Sequence, residues 1–279
     1  MMEYLDYTFF RYALAGVVLI SISAAVVGSY IITRRLVAIA GGITHACFGG
    51  LGLGYFLGFN PAAMAAVFAV ASSAGVEWMA QRMRLREDSA IAVVWSLGMA
   101  VGVLFVFLTP GYVPELNSFL FGNILTINET DIYVFAAFTL VLCTFFAWRF
   151  KQIVAVAFDR DFARVQKLPV RFVSYAMTVF VAVCIVLTIR LVGVMLLMSV
   201  MSLPMMTAEV FCRRFSSMVF VSAGVAVAAL LFGYNPGEAA GLFAGAAADV
   251  PCSAMIVLIL AFVFVAAKAV ECFRARSAS

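Results

Sequence analysis

The chain has 279 residues, 66% of them hydrophobic and only 11% charged. Soluble globular domains carry about 25% charged residues, so too little polar surface is present to cover a water-exposed body of this size. The net charge of +4 then follows from where membrane proteins place Lys and Arg and does not point to a nucleic-acid partner. The apolar runs are too continuous for the alternation of a β-barrel. Cys47, Cys143, Cys184, Cys212, Cys252 and Cys272 are scattered without a C-x-x-C pair, reading as small buried hydrophobes and not as a disulfide scaffold. What remains is an all-α, polytopic membrane helical bundle in a lipid bilayer.

About 20 apolar residues cross the hydrocarbon core, and on that rule eight or nine transmembrane helices are expected. The first segment is Arg11 to Thr33. Its acidic flank (Glu3, Asp6) and the Arg34–Arg35 pair after it make it a membrane helix and not a cleaved signal peptide. The second, Leu36 to Phe59, is glycine-rich, and Gly42, Ala46, Gly50, Gly54 and Gly58 fall four apart along one ridge. Such a helix-packing ridge lets a neighbouring helix approach closely. His45, the only histidine in the chain, lies in this segment between Gly41 and Gly49.

The third and fourth segments are Pro61 to Ala80 and Ser89 to Leu108, and Glu87 and Asp88 precede the fourth, where acids complement a helix amino terminus. The fifth is Ile132 to Trp148. After it comes VAVAFDRDFARVQKLPVRF, in which Asp159 can cap a short amphipathic helix ending near Pro169. Phe158, Phe162 and Val165 would share one side of it, with Arg160, Arg164 and Lys167 spread over the other. The sixth segment is Phe172 to Ile189 and the seventh Leu191 to Phe211, with Pro204 expected to kink or interrupt it. Its methionines (Met195, Met198, Met201, Met205, Met206) read as core filler, a soft-metal thioether path being the lesser alternative. Glu209 and Arg213 are spaced for an i,i+4 ion pair. The eighth segment is Ser217 to Phe232 and the ninth Val250 to Ala267. Between them, GYNPGEAAGLFAGAAADVP reads as a short half-helix at the outer face. Asp249 is a cap for the last helix, or in the second reading a candidate outer gate.

With the amino terminus outside and the carboxy terminus cytoplasmic, Arg34, Arg35, Arg82, Arg84, Arg86, Arg149, Lys151, Arg160, Arg164, Lys167, Arg171, Arg213, Arg214, Lys268, Arg274 and Arg276 all fall inside. Only Arg11 and Arg190 fall outside. That asymmetry is the positive-inside pattern.

Chemistry concentrates on His45, because an ionisable group inside a membrane segment is functional by default. Neutral imidazole suits zinc, iron and copper, while carboxylates and waters suit manganese. The plainer reading is a histidine that bonds a neighbouring carbonyl and pins two helices. Cys47, two residues on, is about 200° around the helix and cannot share its face. Any further ligand must come from another segment or subunit. No G-x-x-x-x-G-K-[ST] motif is present to cradle ATP phosphates, and one histidine cannot make an H-E-x-x-H zinc protease.

The blocks TRRLVAIAGGITHACFGGLGLGYFLG, LREDSAIAVVWSLGMAVGVL, FLFGNIL, FDRDFARVQKLPV, RLVGVMLLMSVMSLPMMTA and ADVPCSAMIVL resemble, in order, those of the permease subunits of bacterial metal-ion ABC importers, which take up zinc, manganese or iron. The resemblance implies one permease domain over residues 1–279 in the bacterial inner membrane. The permease itself is not an enzyme and holds no tight cofactor: a divalent metal is its substrate, and ATP is bound by a partner subunit. Its implied partners are a second copy, two ATP-binding cassette ATPases and an extracytoplasmic metal-binding protein. It also implies that residues 158–169 are the coupling helix seated in the ATPase, through Phe158, Asp159, Phe162, Ala163, Arg164, Leu168 and Pro169, with His45 a transient metal station. Gly41 and Asn123 stand where many members carry acids, which orders the ions as zinc, iron, then manganese. The rival functions are an ion-coupled metal carrier working without an ATPase and a membrane-embedded assembly factor.

Overall fold

A computed structural model describes residues 8–110, 128–234 and 252–277 of the chain. Among these residues every regular element is a helix: α1 Thr8–Thr33, α2 Val37–Leu57, α3 Pro61–Arg82, α4 Glu87–Leu108, α5 Glu129–Trp148, α6 Phe150–Phe158, α7 Arg160–Val165, α8 Val170–Phe211, α9 Phe215–Tyr234 and α10 Cys252–Ser277. Eight of them are long and apolar enough to cross a membrane. Large apolar side chains stand exposed on their flanks, among them Val67, Leu97, Leu104, Phe107, Leu140, Phe220 and Phe262. In water such surface would be unfavourable at about 25 cal/mol per Å², whereas acyl chains cover it without cost. The protein is a multi-pass membrane protein, as its composition implies.

Element ends follow local chemistry. Asn60 caps α3, its Oδ1 accepting from the N–H groups of Ala62 (3.0 Å) and Ala63 (3.3 Å), with Pro61 at the first helical position. The buried hydroxyls of Ser21, Thr44, Thr139 and Thr178 donate to carbonyls one turn back on their own helices. They are thereby satisfied without leaving the helix.

The expected interruption of the seventh segment lies elsewhere. Within α8 the non-helical residue is Gly193 (φ 78°, ψ 172°), while Pro204 sits inside a continuous helical stretch. Proline removes one N–H and tolerates helical φ, but the conformation at Gly193 is open in practice only to glycine. The sixth and seventh segments are therefore one element broken at Gly193, with Arg190 on the helix. The Glu209–Arg213 pair is absent from the ion pairs among the described residues, because α8 ends at Phe211 and Arg213 has left the helix. The half-helix after α9, Asp249 and Asn123 lie outside the described residues.

The chain divides into two compact units. One holds α1, the first part of α5, α8 from Arg190 onward, α9 and α10. Its core is apolar: Val17, Ile20, Ala24 and Val27 from α1, with Leu196, Leu197, Met201 and Met205 from α8, are all buried. Gly28 lies so close to the Met201 carbonyl that no side chain fits between α1 and α8. Polar ties link its helices as well, Ser23 to Thr139 at 2.8 Å and Arg190 to Asp131 at 2.9 Å. The second unit holds α2, α3, α4, the end of α5, α6, α7 and α8 up to Ile189, and it contains His45.

Candidate functional site

Glycine places α2. A Cβ on Gly42 would lie 2.5 Å from Ile91 Cγ2 of α4, and Gly98 of α4 rests against the Ala46 backbone. On the other flank, a Cβ on Gly50 would lie 2.5 Å from the Met64 carbonyl oxygen of α3, and one on Gly54 2.8 Å from Pro61 Cα. The four-residue ridge thus divides its contacts: Gly42 and Ala46 against α4, Gly50 and Gly54 against α3. Gly58 touches neither. It is the left-handed cap (φ 70°) where α2 stops, with its N–H on the Tyr55 carbonyl (3.3 Å). Backbones this close leave no slack for α2 to slide between its neighbours.

His45 projects from α2 half-buried, and its ring stacks on Trp95 of α4 with centroids 4.6 Å apart and planes 9° apart. Trp95 is a partner that the sequence did not single out; its only signal was its place in the fourth segment. Stacking fixes the imidazole plane through its face and leaves both ring nitrogens at the ring's edge, outside the stack. Cys47 is buried. Among the described residues no three His, Cys, Asp or Glu side chains converge to hold a metal ion.

The segment after α5 differs from a single amphipathic helix over 158–169. An extra helix, α6, ends at Phe158, and α7 covers only Arg160–Val165. Asp159 caps it, its Oδ1 accepting from the N–H groups of Asp161 (2.9 Å) and Phe162 (3.0 Å). At the other end the Leu168 N–H bonds the Ala163 carbonyl (3.1 Å) and the Lys167 N–H the Arg164 carbonyl (2.9 Å), with Lys167 left-handed at φ 57°. This is a Schellman stop, reinforced by Pro169. Ala163 is buried, whereas Phe158, Phe162 and Val165 are 68%, 55% and 81% exposed. Arg164 pairs with Asp161 on the surface. Arg160, expected beside Arg164 and Lys167, turns inward instead.

Its guanidinium meets three side chains. Arg160 donates to Glu77 at 2.7 Å, to Ser174 at 3.3 Å and, from its other terminal nitrogen, to Glu87. Arg34 also binds Glu87 and lies 3.8 Å from Glu77. Side-chain exposures of 3% for Arg34 and Glu77, 22% for Arg160 and 23% for Glu87 make this a largely desolvated, charge-balanced quartet. It joins the chain just before α2, the end of α3, the start of α4 and the start of α7. Glu77, a carboxylate inside the third apolar segment, was the signal available in the sequence.

Eight membrane-length apolar helices, a glycine-clamped helix carrying one histidine, and a short capped helix exposing Phe162 define a polytopic membrane protein. The chain belongs to the ABC 3 transport family, whose model matches residues 6–271. It is 31% identical over 262 residues, 94% of this chain and 93% of the relative, to an uncharacterised membrane protein of Synechocystis sp.. It is 26% identical over 260 residues, 93% of this chain and 92% of the relative, to the manganese transport system membrane protein MntC of Listeria monocytogenes. Among solved structures it is similar to PsaBC from Streptococcus pneumoniae in complex with Fab, with a TM-score of 0.79 and 25% identity over 95% of this chain and 92% of that one.

Proposed function

We propose that this chain, acting as one permease domain over residues 1–279, is the membrane subunit of an ATP-driven importer for a divalent transition metal. It pairs with a second copy, two ATPase subunits that bind and hydrolyse ATP, and a metal-binding protein outside. The observation that carries the reading is α7: six residues, stopped at both ends and anchored through Ala163, that present Phe162 and Val165 to the outside. Apolar side chains presented this way on a braced helix fit a protein groove, and in this family's class of machine that groove belongs to a nucleotide-hydrolysing partner. The Listeria relative, by its name, handles manganese, which supports metal as the cargo class.

His45 would take the ion briefly as a neutral ligand, with further ligands supplied by water, the second copy or the handed-over ion's own shell. A site of so few ligands releases what it holds, as conduction requires. One imidazole without a neighbouring carboxylate keeps zinc ahead of iron, and iron ahead of manganese. An ion-coupled carrier would need an embedded carboxylate free to exchange protons. Glu77, the one fully buried carboxylate among the described residues, is held by arginine instead. In vesicles containing the assembled complex, His45→Ala should lower ATP-dependent metal uptake by about tenfold or more. Wild-type uptake by the correctly assembled variant would remove His45 from the pathway, and uptake without any ATPase would favour the carrier.

A further inference from the structure

Nothing in the transport reading assigns a role to the Arg34–Glu77–Glu87–Arg160 quartet. It is an unusual construction: two cations and two anions, mostly withdrawn from solvent, brought together from four separate stretches of chain. Burying such a set costs desolvation that hydrophobic residues of the same volume would not incur. Simple adhesion is therefore a poor reason to have it, and a defined mechanical linkage is a better one.

The linkage runs in two stages. Arg160 is the first residue of α7, so any displacement of that helix pulls directly on Glu77 and Glu87. Glu87 is the first residue of α4. Eight residues on, about 12 Å along the axis, Trp95 stacks on His45. Between and beyond them α4 is keyed into α2 without clearance, Ile91 against Gly42, Gly98 against Ala46 and Gly102 against Phe48. Arg34, also on Glu87, holds the entry to α2. A pull on Glu87 is thus delivered to both rings of the stack.

Resting on the reading of α7 as the helix that meets the ATPase, we propose that this quartet is the transmission joint between α7 and the α2–α4 pair. Arg160 is a positioning residue whose two terminal nitrogens grip Glu77 and Glu87 together. The planar fork is what the joint requires: a lysine would keep the charge balance, but its single ammonium cannot hold two carboxylates in fixed geometry.

The test uses the complete complex of permease and ATPases in proteoliposomes, reading Zn2+ or Mn2+ uptake, whichever the wild type carries, together with ATP hydrolysis. Arg160→Lys should keep assembly and hydrolysis while the metal delivered per ATP falls by about tenfold, a typical size for a coupling between sites. Glu87→Asp, which keeps the charge but shortens the reach, should give the same signature. An unchanged ratio in both variants overturns the proposal. Loss of uptake and hydrolysis in equal proportion also overturns it, because that is the mark of a structural brace. Phe162→Ala separates this from the underlying reading: it should abolish ATPase binding and uptake together, and if it leaves both intact the docking role of α7 fails, whatever Arg160 does.

Discussion

His45 and Trp95 show how a side chain can be placed by its neighbours. The glycines on either side of His45 bring α4 close enough for the indole to lie 4.6 Å from the imidazole and nearly parallel to it. An aromatic stack of this kind is worth about 0.5–1.5 kcal/mol beyond the area it buries. Trp95→Leu, which keeps an apolar side chain there but frees the imidazole, should therefore slow metal uptake by about two- to tenfold without loss of folded protein in detergent. Uptake measured at several metal concentrations checks it. An undiminished rate would mean that the stack is packing alone. His45 stood out in the sequence because it is a lone ionisable group in a membrane segment, whereas Trp95 did not, because one aromatic among many apolar residues carries no mark of its partner. Glu77 could have been noticed on the same grounds as His45. Arg34, Glu87 and Arg160 could not be assembled around it, since their meeting depends on how four chain segments turn at one end of a bundle.

At the scale of elements, hydropathy locates the membrane helices to within a few residues at most ends, but a break shows only through backbone chemistry. Pro204 was the evident breaker in the seventh segment and Gly193 the actual one. Proline keeps helical dihedrals at the loss of one hydrogen bond, while a positive φ with ψ near 180° can be held comfortably only without a Cβ. The surface helix α7 was legible for the opposite reason, its start and stop being written locally. Asp159 supplies the cap, and Lys167 followed by Leu168 and Pro169 makes the stop. What could not be read was its length, since Phe158 belongs to the end of α6. Six residues lie far below the length at which a helix persists alone in water, so the cap matters more than in a long helix. Asp159→Ala should cost about 1 kcal/mol of α7 stability and weaken capture of the ATPase subunits by at most about fivefold, as read by titrating them onto the detergent-solubilised permease. Undiminished capture would show that the docking face does not depend on the helical form of these six residues.

For the whole molecule, the number of crossings turns on α8. Its 42 residues would extend about 63 Å as one rod, twice the roughly 30 Å of hydrocarbon available. The break at Gly193 divides it into residues 170–192 and 194–211, or 23 and 18 residues, and each part is near the length one crossing needs. If both parts cross, the eight membrane-length helices provide nine crossings among the described residues, and the two ends of α8 lie on the same face. If α8 crosses once, its ends lie on opposite faces. The Lys and Arg distribution favours the first arrangement, since Arg171 and Arg213 then share the cytoplasmic side. Both positions are exposed, so each accepts a reporter cysteine in a background whose native cysteines have been replaced. With Arg171→Cys and Arg213→Cys examined separately, a membrane-impermeant maleimide should leave both unlabelled in intact cells and label both in inverted vesicles. Labelling of one from each side would make α8 a single long crossing and would overturn the orientation inferred from charge for every helix that follows it. Gly193→Ala asks the same question through energetics. The φ of 78° with ψ of 172° costs any residue with a Cβ about 1–3 kcal/mol, so the variant should melt at lower temperature than wild type if the break is required by the fold. An unchanged melting temperature would mean that α8 can run on through residue 193 at no cost, and the two-crossing arrangement would lose its structural basis.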